Sequence, residues 1–135
     1  MASVDTNVLV RLLAADDATQ SGHARALIQR AARTGESLYV PLTVMLELEW
    51  VLRSRYAYAK ERVLATLSSL LETRELDFQD EAAIENALHY YRRSRVDFAE
   101  CLHLGCAASA AQLPLMTFDR AASRVEGAKL LGPSN

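Results

Sequence analysis

Short apolar runs alternate with longer amphipathic stretches along this chain of 135 residues. SLYV at 37–40 and PLMTF at 114–118 have the length and composition of buried strands. The stretches between such runs carry apolar residues at helical spacing. Because strands that alternate with helices form parallel sheets covered on both faces, the sequence predicts an α/β fold. Its central, mainly parallel sheet should contain four to five strands.

The same pattern predicts the order of the elements. The predicted strands lie at 3–4, 37–40, 75–78, 114–118 and 128–131, and the predicted helices lie at 7–14, 19–33, 41–56, 61–73, 81–93 and 97–112. No repeat, linker or low-complexity stretch interrupts the pattern, and the length suits one hydrophobic core. We therefore expect a single domain over residues 1–135.

Composition and charge set limits on the partners and the compartment. The formal net charge is −2 and the basic residues are mainly arginine, so there is no general attraction to nucleic acid. Arginine forks suit phosphate, but solvated helix ends are the simpler explanation of the arginines from composition alone. Cys101 and Cys106 should lie on different faces of one helix, which disfavours a disulfide. The sequence shows no leader or membrane-spanning run, and we expect a cytoplasmic location.

Two aspartates follow predicted strands directly. Asp5 comes after the first strand, and Asp119 comes after PLMTF. Parallel sheets place their ligand sites beyond the carboxyl ends of the strands, where both residues should lie. An aspartate at a helix start also caps the helix by accepting from backbone N–H groups. Taken singly, Asp5 is therefore as well explained by a cap as by a functional site.

Glu47 is more difficult to explain structurally than its neighbour Glu49. On a helical wheel Glu47 lies beside apolar side chains and has no basic residue three or four positions later. Glu49 has Arg53 at i+4, which predicts an ordinary exposed ion pair on the opposite side. We therefore expect Glu47 to point towards the edge of the core. Because burying an uncompensated charge is costly, a functional role for Glu47 is favoured.

Asp97 and Glu100 open the sixth predicted helix and share one of its faces. Asp97 is explained as a helix cap, and acids in a first turn suit the helix dipole. Glu100 is explained less well, since like charges one turn apart repel unless a cation lies between them. The pattern leaves a capping role and a ligand role open for this pair.

These acids lie in stretches that resemble a known family. VDTNVLVRLLAADDATQ, PLTVMLELEWVLRSRY, and DFAECLHLGCA followed by TFDR are similar, in this order, to the motifs of PIN-domain ribonucleases of the VapC toxin type. The resemblance covers the whole chain. It implies a three-layer α/β/α fold and endonucleolytic cleavage of RNA with Mg²⁺ or Mn²⁺. It further implies a cognate VapB-type antitoxin and a homodimer, with tRNA, rRNA or mRNA as substrate and no membrane association.

The resemblance also implies roles for particular residues. The catalytic set carried over is Asp5, Glu47, Glu100 and Asp119, and the candidate metal ligands are Asp5, Asp97, Glu100 and Asp119. The hydroxyls of Thr6 and Thr117 are candidates to support these acids, and the candidates to hold the RNA backbone are Arg11, Arg53, Arg92, Arg93, Arg95 and Arg120. The family usually has Asp where this chain has Glu100, so Asp97 could share or take over the ligand role.

Other interpretations are weaker. A receiver-type signalling domain would need an acidic pair after the first strand and a late lysine, and a phosphatase with an aspartate nucleophile would need Asp at the position of Asn7. A catalytically impaired PIN module that only binds a partner stays open because of Glu100. The histidines at 23, 89 and 103 are interpreted as surface or core residues, with a core position favoured for His103. Trp50 is expected to pack, and the segment 43–72 is expected to contact the antitoxin.

Overall fold

A computed structural model describes residues 2–132 of the chain. Its contacts divide the chain into two compact units, Met1–Gln79 and Asp80–Asn135. The single domain expected over residues 1–135 stays a prediction.

Five strands and seven helices make up the described residues. The first unit contains β1 (Ala2–Ser3), α1 (Thr6–Leu13), α2 (Ala18–Thr34), β2 (Leu38–Val40), α3 (Leu42–Ser54), α4 (Lys60–Leu71) and β3 (Leu76–Phe78), and the second contains α5 (Glu81–Arg93), α6 (Phe98–Ser109), β4 (Leu115–Thr117), α7 (Arg120–Ser123) and β5 (Ala128–Leu130). Every predicted strand and helix is found, with bounds that differ by up to three residues. The short helix α7 is not predicted by the sequence.

The first unit is built on a parallel sheet in the order β1-β2-β3. Leu38 on β2 pairs with Ala2 on β1 and with Leu76 on β3. Leu38 and Val40 are buried while Tyr39 between them is partly exposed, as the two-residue period of a strand requires. Because the three strands are parallel, the segments that follow them begin at one edge of this sheet.

The second unit is built on the packing of α5 against α6. Gly105 on α6 allows a close approach, since a Cβ there would meet the carbonyl oxygen of Ala83 at 2.3 Å. The rings of Tyr91 and Phe98 meet edge to face, 5.3 Å between centroids, which is a favoured aromatic geometry. Strands β4 and β5 follow this helix pair in the sequence and pair with each other in parallel.

The α/β class and the parallel pairing of strands are confirmed. Within residues 2–132 the strands pair as a set of three and a set of two, rather than as one sheet of four to five. The strands are two or three residues long, so each pairing depends on few hydrogen bonds. In the part of the chain that the structure describes, no helix is both long and apolar enough to cross a membrane.

Candidate metal-binding site

Asp5 links the first strand of the first unit to its first helix. Its backbone is extended, and its Oδ1 accepts a hydrogen bond from the backbone N–H of Val8 at 3.1 Å. The cap that the sequence allows is therefore present. The side chain is exposed, and in the described chain its Oδ2 has no hydrogen-bond partner. The cap fixes the position of the carboxylate and leaves one oxygen available to a ligand.

Thr6, the first residue of α1, ties this strand end to α3. Its side chain is 5% exposed, and its hydroxyl donates a hydrogen bond to Oε1 of Glu47. The sequence predicts support for an acid by Thr6, and the acid that it contacts is Glu47. Strands β1 and β2 are parallel neighbours, so the helices that follow them begin at the same edge of the sheet. This topology brings Thr6 and Glu47 together across 41 positions of sequence.

The predicted orientations of Glu47 and Glu49 are wrong. Glu47 is exposed, whereas Glu49 is 3% exposed. Arg53 Nε lies 2.8 Å from Oε2 of Glu49, so the i+4 ion pair exists but its acidic partner is buried. Helix α3 packs against both α1 and α4, and a helix covered on two sides has no single buried stripe. A helical wheel drawn from the apolar residues therefore predicts burial of the wrong glutamate.

The second unit carries Asp97 and Glu100 at the start of α6. Asp97 occupies the N-cap position, yet its side chain makes no capping hydrogen bond. Asp17 and Asp80 do cap their helices, through backbone N–H groups 2.9 and 3.2 Å away. Asp97 is exposed and Glu100 is partly buried. The structure thus removes the capping explanation for the carboxylate of Asp97.

Asp119 follows β4 and begins α7. Its Oδ1 accepts from the backbone N–H of Ala122 at 3.1 Å, and its own backbone N–H donates to Thr117 Oγ1 at 3.0 Å. Thr117 thus contacts the backbone of Asp119 and not its carboxylate, and its support of an acid stays a prediction. Like Asp5, Asp119 is an exposed cap with one carboxylate oxygen used by its helix.

The carboxylates suit a hard cation in chemical type. Between residues 2 and 132, none of the five candidate acids forms an ion pair, so no arginine or lysine neutralises them. Carboxylate oxygens are the ligands that Mg²⁺ takes, and it is often held by one or two carboxylates with water completing its shell. Within either unit, over the described residues, no three acidic, histidine or cysteine side chains gather as metal ligands. Over the described residues, each unit by itself thus presents carboxylates without an assembled group of three metal ligands.

The arginine candidates differ in their contacts. Arg11 is paired with Asp16 at 2.8 Å and also donates to Gln20, and Arg53 is paired with the buried Glu49. These two guanidinium groups therefore have structural partners. The remaining candidates are exposed and lack an ion pair in residues 2–132; they are Arg92, Arg93, Arg95 and Arg120.

The three histidines and two cysteines are the remaining polar residues considered for a site. His23, His89 and His103 are all exposed, so the core position favoured for His103 is wrong. Cys101 and Cys106 are both free thiols, as predicted, and burial raises the pKa of the Cys106 thiol. None of these side chains joins the candidate acids in a cluster of three or more within the described residues.

The fold and the acids together define an α/β protein with carboxylates beyond the ends of parallel strands. The chain belongs to the PIN-domain family, whose sequence profile matches residues 2–128. It is also similar to the VapC ribonuclease of Aquifex aeolicus (strain VF5), with 24% identity over 102 residues. That match covers 76% of this chain and 75% of the relative.

Proposed function

We propose that this chain is a VapC-like toxin, an endoribonuclease and hydrolase that cleaves RNA phosphodiester bonds with Mg²⁺ or Mn²⁺. Membership of the PIN-domain family and the similarity to a VapC ribonuclease support the class of reaction. The observation that carries the proposal is the hydrogen bond from Thr6 to Glu47. It holds an exposed acid of α3 beside the residue that follows Asp5, which an ordinary surface glutamate would not require.

The proposed role of each acid depends on which of its carboxylate oxygens is left for a metal ion or a water molecule. Asp5 and Asp119 each use one oxygen to cap a helix and would give the other to the metal, with Glu100 or Asp97 as a further ligand. Glu47 would bind the metal or hold the attacking water, with Thr6 fixing its carboxylate. A divalent ion held by these residues would activate water and neutralise charge that develops on the phosphate. We expect products with 5′-phosphate and 3′-hydroxyl ends.

An antitoxin of the VapB type is the proposed partner, with a homodimer as the proposed assembly. Helices α3 and α4 carry features that suit a protein partner. The side chain of Trp50 is 49% exposed, with the Arg55 guanidinium 5.9 Å from its ring centroid. Arg62 lies over Tyr58 at 3.8 Å. Exposed aromatic and arginine side chains of this kind are enriched at protein interfaces, and the exposure of Trp50 differs from the packing expected from the sequence.

A catalytically impaired PIN module is the second candidate function. The observation in its favour is Glu100, which stands where the family usually has Asp and whose longer side chain would place its carboxylate differently. The exposed carboxylate of Asp97, which makes no cap, could compensate for this change. The two candidates differ in one property, which is turnover of RNA in the presence of metal.

Cleavage of structured RNA by the purified chain tests the proposal. We expect cleavage with Mg²⁺ or Mn²⁺ and none with EDTA. Asp5→Asn and Asp119→Asn should abolish cleavage, because each removes a metal-binding charge while the amide oxygen can still cap. Asp17→Asn is the matched control, since Asp17 caps α2 in the same way and should cleave as wild type. Full activity in the Asp5 and Asp119 variants would refute the metal site.

A further inference from the structure

The second unit contains a cavity of about 530 Å³ that none of the candidate acids lines. One wall is formed by the end of α5 and the turn that follows it. The other wall is formed by the end of α7. Its lining residues are His89, Tyr90, Arg93, Ser94, Arg95, Val96, Ala121, Arg124, Val125 and Glu126. We call this feature the arginine cleft.

The arginine cleft has a strong positive charge. Arg93, Arg95 and Arg124 line it together with one acid, Glu126. All three arginines are exposed, and over residues 2–132 none of them forms an ion pair, with Glu126 or with any other acid. Three uncompensated guanidinium groups around one cavity repel each other in the empty cleft. An anionic ligand would relieve that repulsion.

The turn that carries Arg95 is held firmly. The hydroxyl of Ser94 donates to the carbonyl oxygen of Tyr90 at 2.8 Å and accepts from the backbone N–H of Val96 at 3.3 Å. Val96 is buried, so Arg95 extends from a backbone that is anchored on both sides. A fixed backbone lowers the entropy that binding must overcome.

The opposite wall is held by α7. The backbone N–H of Arg124 donates to the carbonyl oxygen of Ala121 at 3.2 Å, and that of Val125 donates to Ala122 at 3.1 Å. Ala122 is 4% exposed and anchors this short helix. Arg124 therefore faces the cleft from a second element with its own support.

The helix dipole explains only part of the clustering of arginines at this cleft. A basic residue in a last turn interacts favourably with the helix dipole, and Arg92 and Arg93 both lie in the last turn of α5. Arg92, however, does not line the cleft. The dipole also gives no reason for arginines from two different helices to line the same cavity.

We propose that the arginine cleft binds a single-stranded segment of RNA, with its arginines on backbone phosphates and a base against Tyr90. Guanidinium forks match phosphate oxygens, and base–aromatic stacking is the usual second component of single-strand binding. The ring of Tyr90 lies at the cleft with His89 edge-on to it, 5.8 Å between centroids. The identification of RNA as the ligand rests on the proposed function.

Fluorescence anisotropy with a short labelled single-stranded RNA tests this site, with EDTA present to prevent cleavage. Arg93→Ala, Arg95→Ala and Arg124→Ala should each weaken binding roughly tenfold at low salt, as expected for a hydrogen bond to a charged group. Each should also reduce the slope of log affinity against log salt by about 0.7. Glu126→Gln should tighten binding. Arg25→Ala, on the exposed face of α2, is the control and should bind as wild type.

The stacking contact has its own matched pair of variants. Tyr90→Leu should weaken binding about fivefold or more, whereas Tyr90→Phe keeps the ring and should bind nearly as wild type. Thermal unfolding of each variant checks that the fold is intact. Arg93, Arg95 and Arg124 are all exposed, so their replacement by alanine should disturb it little. Equal weakening by Arg25→Ala and by the cleft variants would overturn the proposal. Binding of poly-glutamate in place of RNA, with the same arginine dependence, would overturn the assignment to RNA.

Cleavage assays separate this proposal from the proposed function. If both hold, the cleft variants raise KM with little change in kcat, while Asp5→Asn loses kcat but keeps RNA binding. A chain that cleaves RNA with unchanged KM in all cleft variants refutes the cleft alone. A chain that cleaves no RNA, yet binds it with the arginine dependence above, refutes the nuclease and leaves the cleft standing.

Discussion

The hydroxyl of Thr6 donates a hydrogen bond to the carboxylate of Glu47, 41 positions further along the chain. Thr6 is buried at the start of α1, directly after Asp5, whereas Glu47 is an exposed residue of α3. The bond restricts a side chain that would otherwise move freely in solvent. In the proposed nuclease Thr6 is therefore a positioning residue that acts through Glu47.

Removing this hydroxyl should lower the rate of RNA cleavage. Thr6→Val keeps the shape of the side chain but removes the donor, and partners that orient a metal-site acid typically contribute about 10–100-fold in activity. Thr6→Ser keeps the hydroxyl and should retain most of the rate. Both variants should fold, which urea unfolding would check. Equal rates for wild type and Thr6→Val would show that Glu47 needs no positioning.

Asp97 should affect activity without affecting stability. Asp97→Ala removes a side chain that caps nothing, so the free energy of unfolding should stay within about 0.5 kcal/mol of wild type. Asp17→Ala removes a capping hydrogen bond of 2.9 Å and should lower it by about 1 kcal/mol. Urea unfolding measures both values. In cleavage assays Asp97→Ala should lose activity, and Asp17→Ala should not; the reverse pattern would make Asp97 an ordinary helix residue.

The contact between Tyr56 and Asp16 should make stability depend on pH at both extremes. The Tyr56 hydroxyl donates to Asp16 at 2.8 Å, and this hydrogen bond lowers the pKa of Asp16 and raises the pKa of Tyr56. The Asp16 contribution is present above the ordinary carboxyl pKa of about 4 and is lost as pH falls through the lower folded value. The Tyr56 contribution is present below a pKa of about 10 and is lost as pH rises through the higher folded value.

Tyr56→Phe tests this dependence because it removes the hydroxyl that donates to Asp16 and accepts from Arg11 at 3.4 Å. The variant should be less stable than wild type near neutral pH, and the difference should shrink in acid and in alkali. Chemical unfolding midpoints across the pH range measure it. A stability difference between the two proteins that stays constant at every pH would mean that this contact does not make folding depend on the protonation of Asp16 and Tyr56.

Gly105 should be intolerant of any side chain. A Cβ there would lie 2.3 Å from the carbonyl oxygen of Ala83 and 3.1 Å from the backbone nitrogen of Ala87. Gly105→Ala must separate α5 from α6 and should cost about 1–3 kcal/mol of stability. Gly22→Ala is the control, since nothing lies within 4 Å of its added Cβ. It should stabilise α2 by about 0.5–1 kcal/mol, and equal effects of the two changes would contradict the packing.

Much of the fold can be predicted from apolar spacing. The bounds of α5 agree with the predicted 81–93, and the strands agree to within a residue or two, because burial of one face imposes a period on the sequence. Helix α7 is missed because four residues are too few to show a period. The division of strands into sets of three and two depends on pairing between distant residues, which local spacing does not encode.

The candidate site is predictable in composition but not in detail. The positions of Asp5 and Asp119 follow from strand ends, and the structure finds both there. The burial of Glu49 is missed because it depends on which helices cover α3. The sequence leaves a cap and a ligand role open for Asp97, because a cap sequence fixes a position and not a side-chain rotamer. Tertiary contacts therefore decide which acids are available to a ligand.

Binding of Mn²⁺ followed by electron paramagnetic resonance, together with RNA cleavage on the same samples, tests the central claim most directly. The wild-type chain should remove free Mn²⁺ from solution and cleave RNA at the metal concentrations where it does so. The double variant Asp5→Asn/Glu100→Gln should lose both properties, with metal affinity reduced about tenfold or more. A double variant that binds Mn²⁺ and cleaves RNA as wild type does would contradict the claim that these carboxylates form a catalytic metal site.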